Sequence, residues 1–412
     1  MLKGTCLIGQ SGGPTAVINS SLAGAVITAL NNPNITNVYG TLHGIQGVLE
    51  EEFIDFSLED INELELLKYT PSSVLGSVRF FLEEFEKNSK VYEQILEVFK
   101  KYNIRYFFYI GGNDSMDSCM KINKYFKSVG YDCIVNGIPK TIDNDLCLTD
   151  HTPGYGSACK YIATTISEIY LDISAYKKGR VTIVEIMGRD AGWLTASAKI
   201  ASINGCNPDL IYLPESNFCL DEFLEDVKNI YNQNKKVFVI VGEGIRDAKG
   251  EYILNYRNYN NNDSFGHVQL GGVASVLCEH VQNTFGFPVR AIELNLPQRC
   301  AAHLASNTDI EEAYMCGKTG IEIAMQNITG QMITIERFDG STKFGYVPLE
   351  DVAAKVKEMP KEFINERGNH ITDKYLEYVL PLIQEETKLK YENGLPRFAK
   401  LKKILVNKMS EN

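Results

Sequence analysis

Short apolar runs of strand length alternate along this chain with longer segments of helical periodicity, and this limits the fold more than any other feature. The runs at Thr5–Ile8, Arg105–Ile110, Cys133–Asn136, Arg180–Ile186, Lys236–Val241 and Val289–Leu294 are rich in β-branched, aliphatic or aromatic residues, as strands buried on both faces must be. Between them lie helical patterns such as Ala16–Leu30, Ser115–Ser128, Ser157–Ala175, Ala191–Ile203 and Ile310–Gln326. Strand and helix in alternation predict parallel α/β sheets, doubly wound, with helices on both faces and functional sites at the carboxyl ends of the strands. A chain of 412 residues, 44% apolar, has material for more than one such core. We expect one domain over residues 1–150, a second over 151–330 that crosses back to the first, and a helical C-terminal extension over 331–412. The Asn-rich stretch "NYRNYNNNDSFG" reads as a mobile polar loop, and the basic tail "TKLKYENGLPRFAKLKKILVNKMSEN" has the spacing of a helix with a solvated charged face.

Charge narrows the partners. Acidic residues outnumber basic ones 52 to 41, a net charge of -11, which argues against a nucleic-acid surface or an anionic membrane surface. An anionic ligand therefore needs cations placed one by one around it. The ten cysteines form no CxxC pair and no Cys/His group at zinc spacing, so they read as free thiols in a reducing compartment. No apolar run approaches the roughly 20 residues of a membrane span, and the apolar run at the N-terminus meets glycines too soon for a secretory segment. The expected location is the cytoplasm.

Chemistry concentrates where runs end in glycine. The first run feeds "IGQSGGPTAVINS", with Thr15 as a cap for the following helix, and "YFFYIGGNDSMDS" repeats the arrangement, so that two turns offer backbone N–H groups to phosphate. Glycines at such turns also serve the backbone alone. Neither turn is a G-x-G-x-x-G fingerprint or a Walker loop, which disfavours a dinucleotide-dependent oxidoreductase and the common nucleotide folds. The second turn carries a carboxylate, Asp114, where negative charge ought to be unwelcome to a phosphate. After the run at Cys133–Asn136, "PKTIDND" places Asp143 and Asp145 two residues apart, so that in an extended segment both point the same way. Phosphoryl transfer to a hydroxyl needs one carboxylate to accept the proton and others to hold magnesium, although an Asp-Asn-Asp turn bonding to its own backbone gives the same sequence. Arg189, just past the end of another run, suits charge developing on a transferring phosphoryl group; Glu243 suits sugar hydroxyls, and Arg290 with Arg299 suit a second phosphate.

The segments "SGGPTAVIN", "LGSVR", "GGNDS", "PKTIDND", "MGRDAGW" and "RAIELNLPQR", in this order, resemble the phosphofructokinase family over roughly the first three quarters of the chain, and most closely its pyrophosphate-dependent members. The resemblance implies two Rossmann-like domains of the phosphofructokinase fold. It also implies a glycolytic step, the reversible Mg2+-dependent transfer of phosphate from pyrophosphate to the C1 hydroxyl of fructose 6-phosphate. Carried over by motif, Gly13, Arg79 and Ser115 contact the donor and Asp143 is the base. Thr141, Ile142, Met187, Gly188, Arg189, Glu243, Arg290 and Arg299 line the sugar-phosphate side. Arg180 reaches that phosphate across a subunit interface, which implies a homodimer or homotetramer. Asp145 organises the metal. Asn113 stands where relatives usually have a metal-binding acid, and Leu296 where bacterial ATP-using relatives have a sugar-binding histidine. ATP-dependent bacterial relatives resemble "GGDGS" and "PGTIDND", with glycine where this chain has Asp114 and Lys140. Asp114 then excludes a nucleotide by bulk and like charge, and Lys140 neutralises pyrophosphate. The alternative is an ATP-dependent 6-phosphofructokinase.

Overall fold

The computed structural model describes residues 2–78, 80–256 and 271–408. Its first sheet begins with β1 (Gly4–Gln10), β2 (Ile35–Thr41), β3 (Phe53–Asp55), β4 (Ile104–Gly111) and β5 (Ile134–Pro139). A second sheet follows, made of β6 (Arg180–Ile186), β7 (Leu210–Tyr212), β8 (Lys236–Gly242) and β9 (Val289–Glu293). The chain then returns to the first sheet with β10 (Gln331–Phe338) and β11 (Ser341–Pro348). Strand order is β11-β10-β5-β4-β1-β2-β3 in the first and β7-β8-β6-β9 in the second. The chain divides into two compact units, Met1–Ser157 with Arg299–Lys357 and Glu385–Asn412, and Ala158–Gln298 with Glu358–Gln384.

In the first unit the strand residues alternate between two apolar layers. Leu7, Phe107, Tyr109 and Val135 join one, while Cys6, Ile8, Tyr106, Phe108 and Ile134 join the other. Each large side chain taken from water in this way contributes roughly 1.5–3 kcal/mol, which explains why the runs are hydrophobic without a break. The helices Ile18–Leu30 and Asn307–Ala324 pack at backbone contact. A Cβ on Gly24 would lie 2.0 Å from the Tyr314 carbonyl oxygen and one on Gly317 1.9 Å from that of Ser21, so neither position admits a side chain. The second unit repeats the plan in four parallel strands, with Val181, Ile183, Val237 and Val239 packed under Phe223, Val227 and Leu277.

Three expectations change. The first sheet is mixed, because β3 and β11 run antiparallel at its two edges. β10 and β11 are joined through Asp339 and Gly340, both at positive φ, the two-residue turn that Asp-Gly favours in hairpins. Second, the expected helix Ala191–Ile203 is a single α turn, Trp193–Ala196, followed by the 3-10 segment Ser197–Asn204. Third, Thr387–Lys408 contains no helix. Its backbone bonds elsewhere: Val406 N–H donates to the Phe53 carbonyl at 2.8 Å, and the N–H groups of Lys402 and Lys403 donate to Glu59 at 2.8 and 2.7 Å. Gly394 at positive φ and Pro396 further break any helical turn there. Most of the Asn-rich stretch lies outside the described residues. All ten cysteines are free thiols, and among the described residues no helix is long and apolar enough to cross a membrane.

Candidate active site

Register brings three strand ends of the first unit level. Gln10 pairs with Ile110 and Gly111 with Pro139, so the turns that follow β1, β4 and β5 emerge side by side. The turn after β1 is closed by Thr15, whose hydroxyl accepts the Ile18 N–H at 2.9 Å, although the N-cap position itself falls on Val17, two residues later than the sequence suggests. Lys140, only 3% exposed, donates from Nζ to the Gly13 carbonyl at 2.8 Å. The guanidinium of Arg299 reaches the other side of this turn, 3.2 Å from where a Cβ on Gly13 would sit. Gly12, Gly13, Ser73, Ser77 and Arg299 help line a recess of about 420 Å³. Two cations therefore bracket the glycine turn, as an anion site in an acidic protein requires. Arg79 lies outside the described residues.

The turn after β4 opens the helix Asn113–Ser128. Ser115 is buried and packs so closely over Gly111 that a Cβ there would lie 1.9 Å from its Oγ. Asp114 is exposed in the first helical turn, where the aligned peptide dipoles favour a carboxylate. Asn113 Nδ2 donates to Asp145 Oδ2 at 3.0 Å. The remaining oxygens of that pair, Asn113 Oδ1 and Asp145 Oδ1, are both shut off from solvent without a hydrogen-bond partner. Burial pushes the Asp145 carboxyl above the usual range, against bonds from Asn113 and Thr141 that pull it down.

The segment Thr141–Asp145 is not extended. Asn144 sits at φ 55, in the left-handed region that asparagine tolerates, so alternation does not aim Asp143 and Asp145. A turn does: Asp143 N–H donates to Thr141 Oγ1 at 3.1 Å, Ile142 is buried, and Asn144 Oδ1 accepts the Thr152 N–H at 3.1 Å. The self-bonded turn and the catalytic reading of this sequence are thus compatible.

In the second unit, Met187, Gly188 and Arg189 leave the carboxyl end of β6, and Glu243 leaves that of β8. The Gly188 N–H donates to Glu243 Oε1 at 3.1 Å, and the Met187 N–H to Gln298 Oε1 at 3.2 Å. Burial raises the Glu243 carboxyl, opposed by the Gly188 bond and the Arg189 charge. The neighbouring Glu185 holds the start of the helix Val273–Phe285 through the Gly272 and Ala274 N–H groups, and burial pushes its carboxyl up to about 7. Arg180 is the first residue of β6, at the opposite end of the strand from this cluster. Arg290 pairs with Thr182, so by strand alternation Arg180 and Arg290 share one face near that opposite end.

Comparison with known proteins accords with this arrangement. The phosphofructokinase family model matches residues 5–294. The chain belongs to the phosphofructokinase family. The pyrophosphate–fructose 6-phosphate 1-phosphotransferase of Halomonas elongata is 38% identical over 99% of this chain and 98% of its own length, and that of Xanthomonas campestris is 39% identical over the same shares. A crystal structure titled pyrophosphate-dependent phosphofructokinase, from Nitrosospira multiformis, superposes with a TM-score of 0.89 at 36% identity, covering 99% of both chains.

Some residues that shape this candidate site were not singled out by their sequence. Gln10 Nε2 donates to Asn19 Oδ1 at 2.9 Å, while its Oε1 accepts the Ser73 hydroxyl at 2.7 Å and the Leu75 N–H at 3.0 Å. This buried amide pair ties the loop before Arg79 to the first glycine turn. An uncompensated amide at the end of an apolar strand was the signal for it, because a buried amide needs partners. Behind the Asp143–Asp145 turn, the buried His151 bridges Asp150 at 2.8 Å and Glu312 at 2.7 Å, and Arg337 also bonds to Asp150 at 2.7 Å.

Proposed function

We propose that this chain catalyses reversible, Mg2+-dependent transfer of a phosphoryl group between pyrophosphate and the C1 oxygen of fructose 6-phosphate. The observation that carries this reading is the donor turn: a buried Lys140 ammonium against the Gly13 carbonyl and an exposed Asp114 on the neighbouring helix. A compact ammonium suits a small, highly charged donor. Asp114 places both bulk and negative charge where a nucleotide would continue, and thus works against ATP. The Halomonas and Xanthomonas relatives are named for this same activity.

In the proposed step Asp143 accepts the proton of the C1 hydroxyl as its oxygen bonds to the nearer phosphorus of pyrophosphate. The bridging P–O bond breaks and phosphate departs. Lys140, with Arg79, balances charge on the leaving phosphate, and Ser115 and Gly13 shape its seat. Arg189 balances charge on the transferring group. Met187, Gly188, Glu243, Thr141 and Ile142 orient the sugar, and Arg290 and Arg299 hold its 6-phosphate together with Arg180 of a second copy. Asn113 and Asp145, each with a buried side-chain oxygen that lacks a hydrogen-bond partner, would hold magnesium, which when bound would neutralise phosphate charge.

The first unit serves as the donor domain and the second as the sugar-phosphate domain. Arg180 lies at the end of β6 away from Arg189 and Glu243, which supports its serving the site of another copy, so we assign a homodimer or homotetramer. The ten free thiols suit the cytoplasm. Initial rates with pyrophosphate or ATP as the sole donor test the reading. Turnover with pyrophosphate at least 100-fold above that with ATP, about 2.7 kcal/mol of discrimination, is expected. Equal or faster turnover with ATP would establish the ATP-dependent alternative instead.

A further inference from the structure

We propose that Lys357 is a positioning residue for the turn that carries Asp143 and Asp145 and that its ammonium thereby governs kcat. The inference rests on the roles given above to those two carboxylates. Lys357 comes from "KVKEMP", a stretch with no motif, and its bond to Asn144 joins residues 213 apart in sequence.

The turn needs an external hold because its middle residue is in an unfavourable conformation. Asn144 at φ 55 costs less than most residues there, but it stays in the left-handed region only where surrounding bonds insist. Lys357 supplies such bonds at both levels of its structure. Its backbone N–H donates to the Asp145 carbonyl at 2.7 Å. Its Nζ donates to Asn144 Oδ1 at 3.2 Å, to the Asp150 carbonyl at 2.8 Å and to the Thr149 carbonyl at 3.3 Å. Three oxygens from one loop thus surround a group with three N–H donors.

The ammonium ties the middle of the turn to the segment 149–150, and that segment is itself fixed. Asp150 N–H donates to the Ile335 carbonyl at 2.9 Å, and its side chain is held by His151 and Arg337. Lys357 is therefore a second link, beside the Thr152 N–H, through which β10 and the buried His151 network restrain Asn144. A neutral side chain would keep the backbone bond to Asp145 and the Thr152 bond to Asn144 but remove all three ammonium bonds, leaving the two carboxylates freer to shift. Misplacement on the order of 1 Å at a reacting group costs about 100-fold in rate.

The decisive variants are Lys357→Met, which keeps length and removes the donors, and Lys357→Ala assayed with added ethylammonium. For Lys357→Met we expect kcat to fall about 100-fold, with KM for both substrates within about threefold of wild type. In Lys357→Ala, ethylammonium is expected to restore kcat at least about tenfold, whereas ethanol, of similar size and uncharged, restores none. A purely structural side chain would show neither the split between kcat and KM nor the selectivity for a cation. Asn144→Gly, which accepts positive φ readily, provides a second reading should Lys357→Met fail to fold. It deletes the acceptor, and kcat is expected to fall at least about tenfold although the backbone is relieved.

The inference is overturned if Lys357→Met or Asn144→Gly keeps kcat within about threefold of wild type, or if ethanol rescues as well as ethylammonium. Asp143→Ser, assayed beside them, separates the two levels of the argument. Loss of turnover in Asp143→Ser with normal turnover in Lys357→Met would leave the assigned chemistry standing and refute only the role of Lys357. Retained turnover in Asp143→Ser would refute both.

Discussion

Replacing Asp114 by glycine should open the donor site to ATP, and the size of the gain follows from where this carboxylate stands. It is exposed at the start of the helix Asn113–Ser128, so its repulsion of a phosphate is screened by water. At about 4 Å two unit charges repel by about 4 kcal/mol at the dielectric typical of a protein surface and by about 1 kcal/mol in bulk water. Relief within that range corresponds to roughly 5-fold to 1,000-fold in kcat/KM for ATP, and the exposed position favours the lower half, about 10-fold to 50-fold. The helix pays little for the change, losing about 0.3–1 kcal/mol of dipole interaction and up to about 1 kcal/mol from glycine's freedom. The assay compares kcat/KM for ATP and for pyrophosphate in wild type, Asp114→Gly and Asp114→Asn, at low and at high ionic strength. Asparagine keeps the bulk and removes the charge, so it separates clash from repulsion. The electrostatic share of the gain should shrink as salt rises. A folded Asp114→Gly whose ATP kcat/KM stays within about threefold of wild type would refute the selector role.

Other outcomes follow from the same geometry. Asp143→Ser should lose at least about 100-fold in kcat while the dissociation constant for fructose 6-phosphate, measured by calorimetry, changes by less than about threefold, because only the proton acceptor is removed. Burial disfavours charge on His151, but the hydrogen bonds to Asp150 and Glu312 outweigh it and lift its pKa above the ordinary 6.5, so its charged form stabilises the fold. That contribution is complete below the unfolded-state value and is lost as pH rises through the folded-state one. Denaturant melts should therefore show His151→Gln destabilised by about 3 kcal/mol at pH 6 and by less at pH 9, and a pH-independent difference would contradict a charged His151. Mixing Asp143→Ser with Arg180→Gln subunits under exchange should restore about a quarter of wild-type activity in a two-fold dimer with shared sites, whereas a mixture no more active than its parts would place Arg180 outside the partner's site.

The local parts of the fold were legible and the remote ones were not. Strand β6 coincides with the apolar run Arg180–Ile186, and the turns after β1 and β4 announce themselves, because glycine and the Thr15 hydroxyl act on residues beside them. The antiparallel edges escaped notice for a different reason. β11 is half-exposed and carries no continuous apolar signal, although Asp339-Gly340 marked its hairpin turn. The tail shows basic residues at helical spacing, yet its backbone is claimed by Glu59 and Phe53, far away in sequence. The same division runs through the site. "PKTIDND" displays its carboxylates, but the left-handed Asn144 that aims them and the Lys357 that holds Asn144 depend on contacts that no local pattern encodes. Likewise the Gln10 amide acts through Ser73, 63 residues on.

The reverse reaction tests the central claim most directly, because phosphate itself must then attack. Purified protein is supplied with fructose 1,6-bisphosphate, Mg2+ and either inorganic phosphate or ADP, and the products are followed by phosphorus NMR. Formation of pyrophosphate and fructose 6-phosphate with phosphate alone is expected, at a rate unaffected by ADP. Product that appears only with ADP, as ATP, would contradict a donor site built around Lys140 and Asp114 for pyrophosphate.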